Sequence, residues 1–104
     1  MSEKKQLIVN LFEMACVSHI THGLWVLDGN RRTDITELSY WTELAERAEA
    51  GGLDGIFLAD VVGAYDVFRG GPATAIRSGL QIPNRDPLSI VPAMAAVTAR
   101  LGFG

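Results

Sequence analysis

A single cysteine in 104 residues excludes an internal disulfide framework and a cysteine-built zinc site, and makes a reducing compartment the natural setting. Basic charge is scarce as well. Nine Lys plus Arg against twelve Asp plus Glu give a formal net charge of −3, which supplies no field for a nucleic acid or an anionic membrane surface. No run of about 18 apolar residues occurs, so a membrane-spanning helix is not expected. The charged opening Met1-Ser2-Glu3-Lys4-Lys5-Gln6 leads into an apolar stretch interrupted by Asn10 and Glu13, without a small-residue cleavage site, unlike a signal peptide. Low-complexity tracts and linkers are missing too. What is present is a globular composition, 48% hydrophobic and 20% charged, so one cytoplasmic domain over residues 1–104 is the starting expectation.

The apolar pattern organises that domain. Leu7 to Cys16 is nearly continuous in apolar residues, as in a strand covered on both faces, with Asn10 and Glu13 as its exceptions. A long connection, Val17 to Asp34, follows. Asp34-x-x-Glu37 has capping-box spacing and opens a helix whose stripe is Leu38, Trp41, Leu44, Ala45 and Ala48, closed by Gly51-Gly52. A second strand, Gly55 to Ala59, ends at Asp60. The next connection, Val61 to Arg85, contains a short helical stretch around Ala73 to Ser78. Asp86-Pro87 signals a second long helix, with apolar positions at Leu88, Val91, Met94, Ala95, Thr98 and Leu101. Pro92 would bend that helix, unless Ser89 is its cap and the proline falls in the first turn. Leu101 to Gly104 reads as the opening of a third strand. The order β, α, β, α, β, with long connections after strands and short ones after helices, predicts a parallel α/β sheet, and the asymmetry suits a (β/α)8 barrel. A doubly wound sheet fits the same order, but its Gly-x-Gly-x-x-Gly turn is missing after both strands.

Several residues stand where chemistry is done in such folds. Asp60 follows a strand, where a carboxylate either faces the active-site mouth or caps a loop. Cys16, His19 and His22 are spaced by three residues. A nucleophile with its base, a pair of metal ligands and a core cysteine are all open readings, and a neutral histidine giving a proton or hydrogen bond to a cavity suits the spacing best. Tyr65 and Phe68 either wall a pocket or pack their loop, and Asp66 reads as a turn residue. Trp41 belongs to the core, and Arg31-Arg32 reads as a solvated surface pair. The glycine pairs lack the Lys-Ser/Thr of a phosphate loop.

Eight ordered strings sharpen this: Phe12-Glu13-Met14; His22-Gly23-Leu24-Trp25; Tyr40-Trp41 with Leu44-Ala45; Asp54 through Asp60; Gly63-x-Tyr65-Asp66-Val67; Gln81-Ile82-Pro83; Asp86-Pro87-Leu88; and Ala93 through Thr98. Together they resemble the opening of the nitrilotriacetate monooxygenase family of flavin-dependent monooxygenases, within the bacterial-luciferase-like barrels. Cys16 with His19, and Tyr65 with Gln81, look most like its long-chain alkane monooxygenase branch. Three departures stand out. Val26-Leu27-Asp28 replaces the family's usual Arg and His-Pro, Asn84-Arg85 replaces Val-Asn, and Pro92 replaces a small helix former.

The resemblance implies a (β/α)8 barrel. It implies reduced FMN delivered by a separate NAD(P)H-dependent flavin reductase, and transfer of one oxygen atom from O2 to a hydrophobic organic substrate, alkanes among them, through a flavin C4a-hydroperoxide. It places Asp60 on the flavin, gives His19, Cys16 and Tyr65 catalytic positions, and has Gln81, Tyr65 and Cys16 line the substrate cavity. It also implies a homo-oligomer at full length. Because a barrel takes about 250 residues, the resemblance makes this chain an amino-terminal segment, prone to associate or to lose stability in isolation. The rival readings are a non-catalytic truncated product and a deazaflavin-dependent oxidoreductase of the same superfamily.

Overall fold

In a computed structural model, which describes residues 4–19 and 23–104, the chain forms three parallel strands with helices between them. Strand β1 is Asn10–Met14, β2 is Gly55–Ala59 and β3 is Gly102–Phe103, in the spatial order β1-β2-β3. Pairing runs from Asn10 opposite Gly55 to Met14 opposite Ala59, and from Gly55 opposite Gly102 to Ile56 opposite Phe103. Gly55 leaves little room for a side chain. A Cβ there would lie 2.9 Å from Asn10 Oδ1 and 3.1 Å from the Gly102 carbonyl oxygen.

The first strand is shorter than the apolar run predicts. Leu7 and Ile8 are 89% and 79% exposed, because β2 ends its ladder at Gly55 and offers them no partner. Val9 instead gives its N–H to the Asp54 carboxylate at 2.7 Å and takes the Asp54 N–H on its carbonyl at 2.9 Å.

Helix α1, Leu38–Ala50, carries the expected stripe, with Trp41, Ala45 and Ala48 buried, while Leu38 is exposed. Its predicted capping box does not form. Residues Arg32–Thr36 wind as a 3-10 turn, the helix begins only after Glu37, and the Asp34 carboxylate turns to Arg31 at 3.1 Å. Gly51 and Gly52 end the helix as expected, Gly52 in the left-handed region at φ 82°.

Helix α2 is Ala73–Arg77 and α3 is Val91–Ala96. The helix expected from Asp86 divides in two. Asp86 caps a 3-10 turn at Pro87–Ser89, accepting the Leu88 N–H at 2.9 Å, and α3 starts afresh after Ile90. Pro92 therefore lies in a first turn, with Ile90 as its cap, where its missing N–H costs nothing.

The core lies on one face of the sheet, where Trp41, Ala45 and Ala48 of α1 and Met94 of α3 meet Ile56 and Leu58. The Trp41 indole keeps its hydrogen bond there, donating to the Ile35 carbonyl at 2.8 Å. No helix among the described residues is long and apolar enough to cross a membrane.

Candidate active site

The chain beyond β1 and the chain beyond β2 are laced together at the carboxyl ends of the strands. Ser18 and Leu80 form a parallel bridge, and the Gln81 N–H donates to the Ser18 carbonyl at 2.7 Å. A second tie comes from Trp25, whose indole donates to the Ser78 carbonyl at 2.9 Å. Between these ties Gly79 adopts φ 63°, and a Cβ on it would approach Val17 Cγ2 to 2.9 Å, so only glycine fits.

This lacing brings two of the expected residues together. His19 Nδ1 lies 2.9 Å from Gln81 Oε1, although the residues are 62 positions apart. The amide oxygen can only accept, so the imidazole donates from Nδ1 and a neutral His19 presents its Nε2 lone pair. Gln81 is buried and held at φ 61°, a conformation that costs a non-glycine residue about 1 kcal/mol or more. The Phe12 ring backs His19, with centroids 5.7 Å apart.

Cys16 is buried, not displayed on a surface. Its side chain is fully buried, its thiol donates to the Ser18 carbonyl at 3.3 Å, and burial pushes its pKa up. That environment keeps sulfur as the thiol and suits filling space better than nucleophilic attack.

Asp60 and Tyr65 lie in two separate depressions, Asp60 sharing its own with Gln81 and Tyr65 its own with Leu80. One, of about 470 Å³, is lined by Asp60, Gly63, Gln81, Pro83 and Asn84. Asn84 donates from Nδ2 to Asp60 Oδ1 at 3.3 Å and to the Val61 carbonyl at 3.4 Å. Its own Oδ1 is buried without a partner among the described residues. The other depression, of about 650 Å³, is lined by Tyr65, Val67, Phe68, Thr74, Ser78 and Leu80, so Tyr65 and Phe68 do wall a cleft. His22 lies outside the described residues.

The composition gave no sign of a further cluster. Arg32, expected on the solvated surface, is half-buried, and only Arg31 of that pair is exposed. Arg32 Nη1 donates to Glu13 Oε1 at 2.7 Å and to the Tyr40 hydroxyl at 2.9 Å. Its Nη2 donates to the Met14 carbonyl at 2.9 Å and to the Cys16 carbonyl. Burial pulls the guanidinium pKa down, but the adjoining Glu13 charge and hydrogen bond leave it raised, so the cation is firmly charged. Burial, then the Glu13 charge, raises the Tyr40 pKa. Glu13, an anomaly within an apolar strand, was the available signal: a carboxylate there calls for a cation from elsewhere in the chain.

The chain is 54% identical over 99 residues to the long-chain alkane monooxygenase of Geobacillus thermodenitrificans (strain NG80-2), covering 95% of this chain and 22% of that protein. It is 45% identical to the dimethyl-sulfide monooxygenase of Hyphomicrobium sulfonivorans, over 97% of this chain and 21% of that protein. It is 31% identical to nitrilotriacetate monooxygenase component A of Aminobacter aminovorans, over 99% and 23% respectively. A crystal structure of a long-chain alkane monooxygenase superposes with a TM-score of 0.91 at 52% identity, covering 97% of this chain and 23% of that one. A riboflavin lyase, solved with modified FMN and riboflavin, superposes with a TM-score of 0.81 at 36% identity, over 95% and 22%. No family model matches the chain. It spans about a fifth of the length of these relatives, and over that span it matches monooxygenases of the nitrilotriacetate monooxygenase and luciferase-like kind.

Proposed function

We propose that the protein carrying this chain is an FMN-dependent monooxygenase whose three parallel strands are part of a (β/α)8 barrel, with its site at their carboxyl ends. The observation that carries the reading is the His19–Gln81 pair, held at 2.9 Å by the bridge between the chain beyond β1 and the chain beyond β2. Active sites of such barrels are built from these loops. The similarity to named monooxygenases supports the reaction class.

The residues present suit a flavin. Asn84 Oδ1 is a buried acceptor in need of a donor, and the edge of a flavin ring offers an N–H. Asp60 and Asn84 would hold the ring by that edge. Reduced FMN, when bound, supplies the electrons that activate dioxygen for transfer of one oxygen atom to the substrate.

The chain's own residues do the rest. His19 accepts a hydrogen bond or proton at Nε2 while Gln81 holds Nδ1–H, and it returns the proton from Nε2 as the imidazolium. Phe12 shields one side of that imidazole from water. Tyr65, Val67 and Phe68 offer apolar surface to a hydrophobic substrate, an alkane among the candidates, and the buried Cys16 stays a neutral thiol. A separate NAD(P)H-dependent flavin reductase would deliver the reduced cofactor.

Titration with FMN, read by quenching of flavin fluorescence, tests the reading. Saturable binding is expected, weakened about thirtyfold by Asp60→Asn together with Asn84→Ala, since each of the two lost hydrogen bonds costs about 1 kcal/mol. A protein that takes up no FMN overturns the proposal. One that binds only a deazaflavin belongs to the rival reductase class.

A further inference from the structure

The His19–Gln81 pair is no more rigid than the end of β1 from which His19 hangs, and that end is not held by sheet pairing. The ladder between β1 and β2 stops at Met14 opposite Ala59. Ala15, Cys16 and Val17 then cross to the Ser18–Leu80 bridge. The Arg85 N–H holds the Ala15 carbonyl at 2.9 Å and the Cys16 N–H reaches the Met14 carbonyl at 2.8 Å, which leaves the Cys16 carbonyl and a second acceptor position on Met14 to Arg32. One guanidinium nitrogen, Arg32 Nη2, donates to both. The other terminal nitrogen, Nη1, is fixed by Glu13 at 2.7 Å and the Tyr40 hydroxyl at 2.9 Å, and Tyr40 in turn donates to Glu13 Oε2 at 3.1 Å. The group is thus anchored on β1 and α1, both part of the packed body of the fold. A planar fork can bind an ion pair with one arm and carbonyls with the other, which the point charge of a lysine cannot copy.

We infer that Arg32 is a positioning residue: its guanidinium, anchored by Glu13, clamps the Met14 and Cys16 carbonyls and so sets the place of His19 against Gln81. Its importance to turnover rests on the function proposed above, whereas the clamp itself does not.

The test reads the pair without flavin. Long-range ¹H–¹⁵N spectra of the whole protein, with the His19 resonances assigned by loss in His19→Gln, report the Nδ1 hydrogen bond. Amide exchange reports the Gln81 N–H held by Ser18. In Arg32→Lys the imidazole is expected to lose its fixed Nδ1–H signature, and Gln81 exchange to quicken at least tenfold, while α1 amides such as that of Ala45 keep their rates. Glu13→Gln, which loosens the anchor and leaves the fork intact, is expected to move both readouts part of the way, and it decides the matter alone if Arg32→Lys does not fold. Unchanged imidazole signals and Gln81 exchange in the folded variants would overturn the clamp. Absence of FMN binding by a protein with an intact clamp would instead count against the proposed function.

Discussion

The two faces of the sheet are built from similar residues and differ in what covers them. On one, Ile56 and Leu58 of β2 disappear beneath Trp41, Ala45 and Met94. On the other, Phe12 and Phe57 lie 5.6 Å apart, ring against ring, and remain 45% and 49% exposed. Stability within this span therefore resides on the helix face, and the opposite face, with the strand ends above it, is free to serve a site. The same division appears in proteins whose binding groups stand on a packed scaffold without being part of its core.

Trp41→Ala should break the contrast most severely. It empties a fully buried site and orphans the Ile35 carbonyl, at a cost of about 3–5 kcal/mol, a large part of a typical domain's stability. Phe57→Ser should cost about 1 kcal/mol, since only half of the ring is covered. Urea denaturation of the two variants compares them directly, and equal losses would mean that the faces are equally buried.

Acid should weaken the helix face through Glu49. Its carboxylate on α1 accepts the N–H groups of Arg100, Ala99 at 3.0 Å and Leu101 at 3.1 Å, which hold its pKa below the ordinary glutamate range. The folded value is the depressed one. The contribution is therefore complete above the usual carboxylate pKa and disappears as pH falls through the lowered value. Glu49→Gln should make the acid limb of the denaturation midpoint against pH shallower, with the dependence due to Glu43 and the other carboxylates remaining. The smallest effect belongs to Arg31→Ala. Its pairs with Asp34 and Glu43 lie in solvent, and the midpoint should stay within experimental scatter.

Much of the scaffold was legible in the residues. Gly55 to Ala59 is a strand of the expected limits, Gly51-Gly52 ends α1, and Asp86 caps a turn, because each rests on a local rule of burial or backbone geometry. Elements that depend on a distant partner were not legible. Leu7 and Ile8 looked like strand until the five-residue length of β2 left them unpaired. Asp34 looked like a cap until Arg31 claimed it. Arg32 looked like surface because nothing local reveals that Glu13, 19 positions away, would draw it inward. Of the residues expected at the candidate site, His19 and Gln81 meet, a contact that was not legible since it needs the Ser18–Leu80 bridge. Tyr65, expected with them, falls into a separate depression, whereas Asp60 shares one with Gln81.

Oxygen transfer at the open strand ends is tested most directly by turnover of the whole protein under ¹⁸O₂ with FMN, NADH, a flavin reductase and a hydrophobic substrate such as an n-alkane or a dialkyl sulfide. A product carrying one ¹⁸O atom is expected, formed far more slowly in His19→Ala. Bound FMN with no labelled product from any such substrate, or a His19→Ala variant with full coupled turnover, would contradict it.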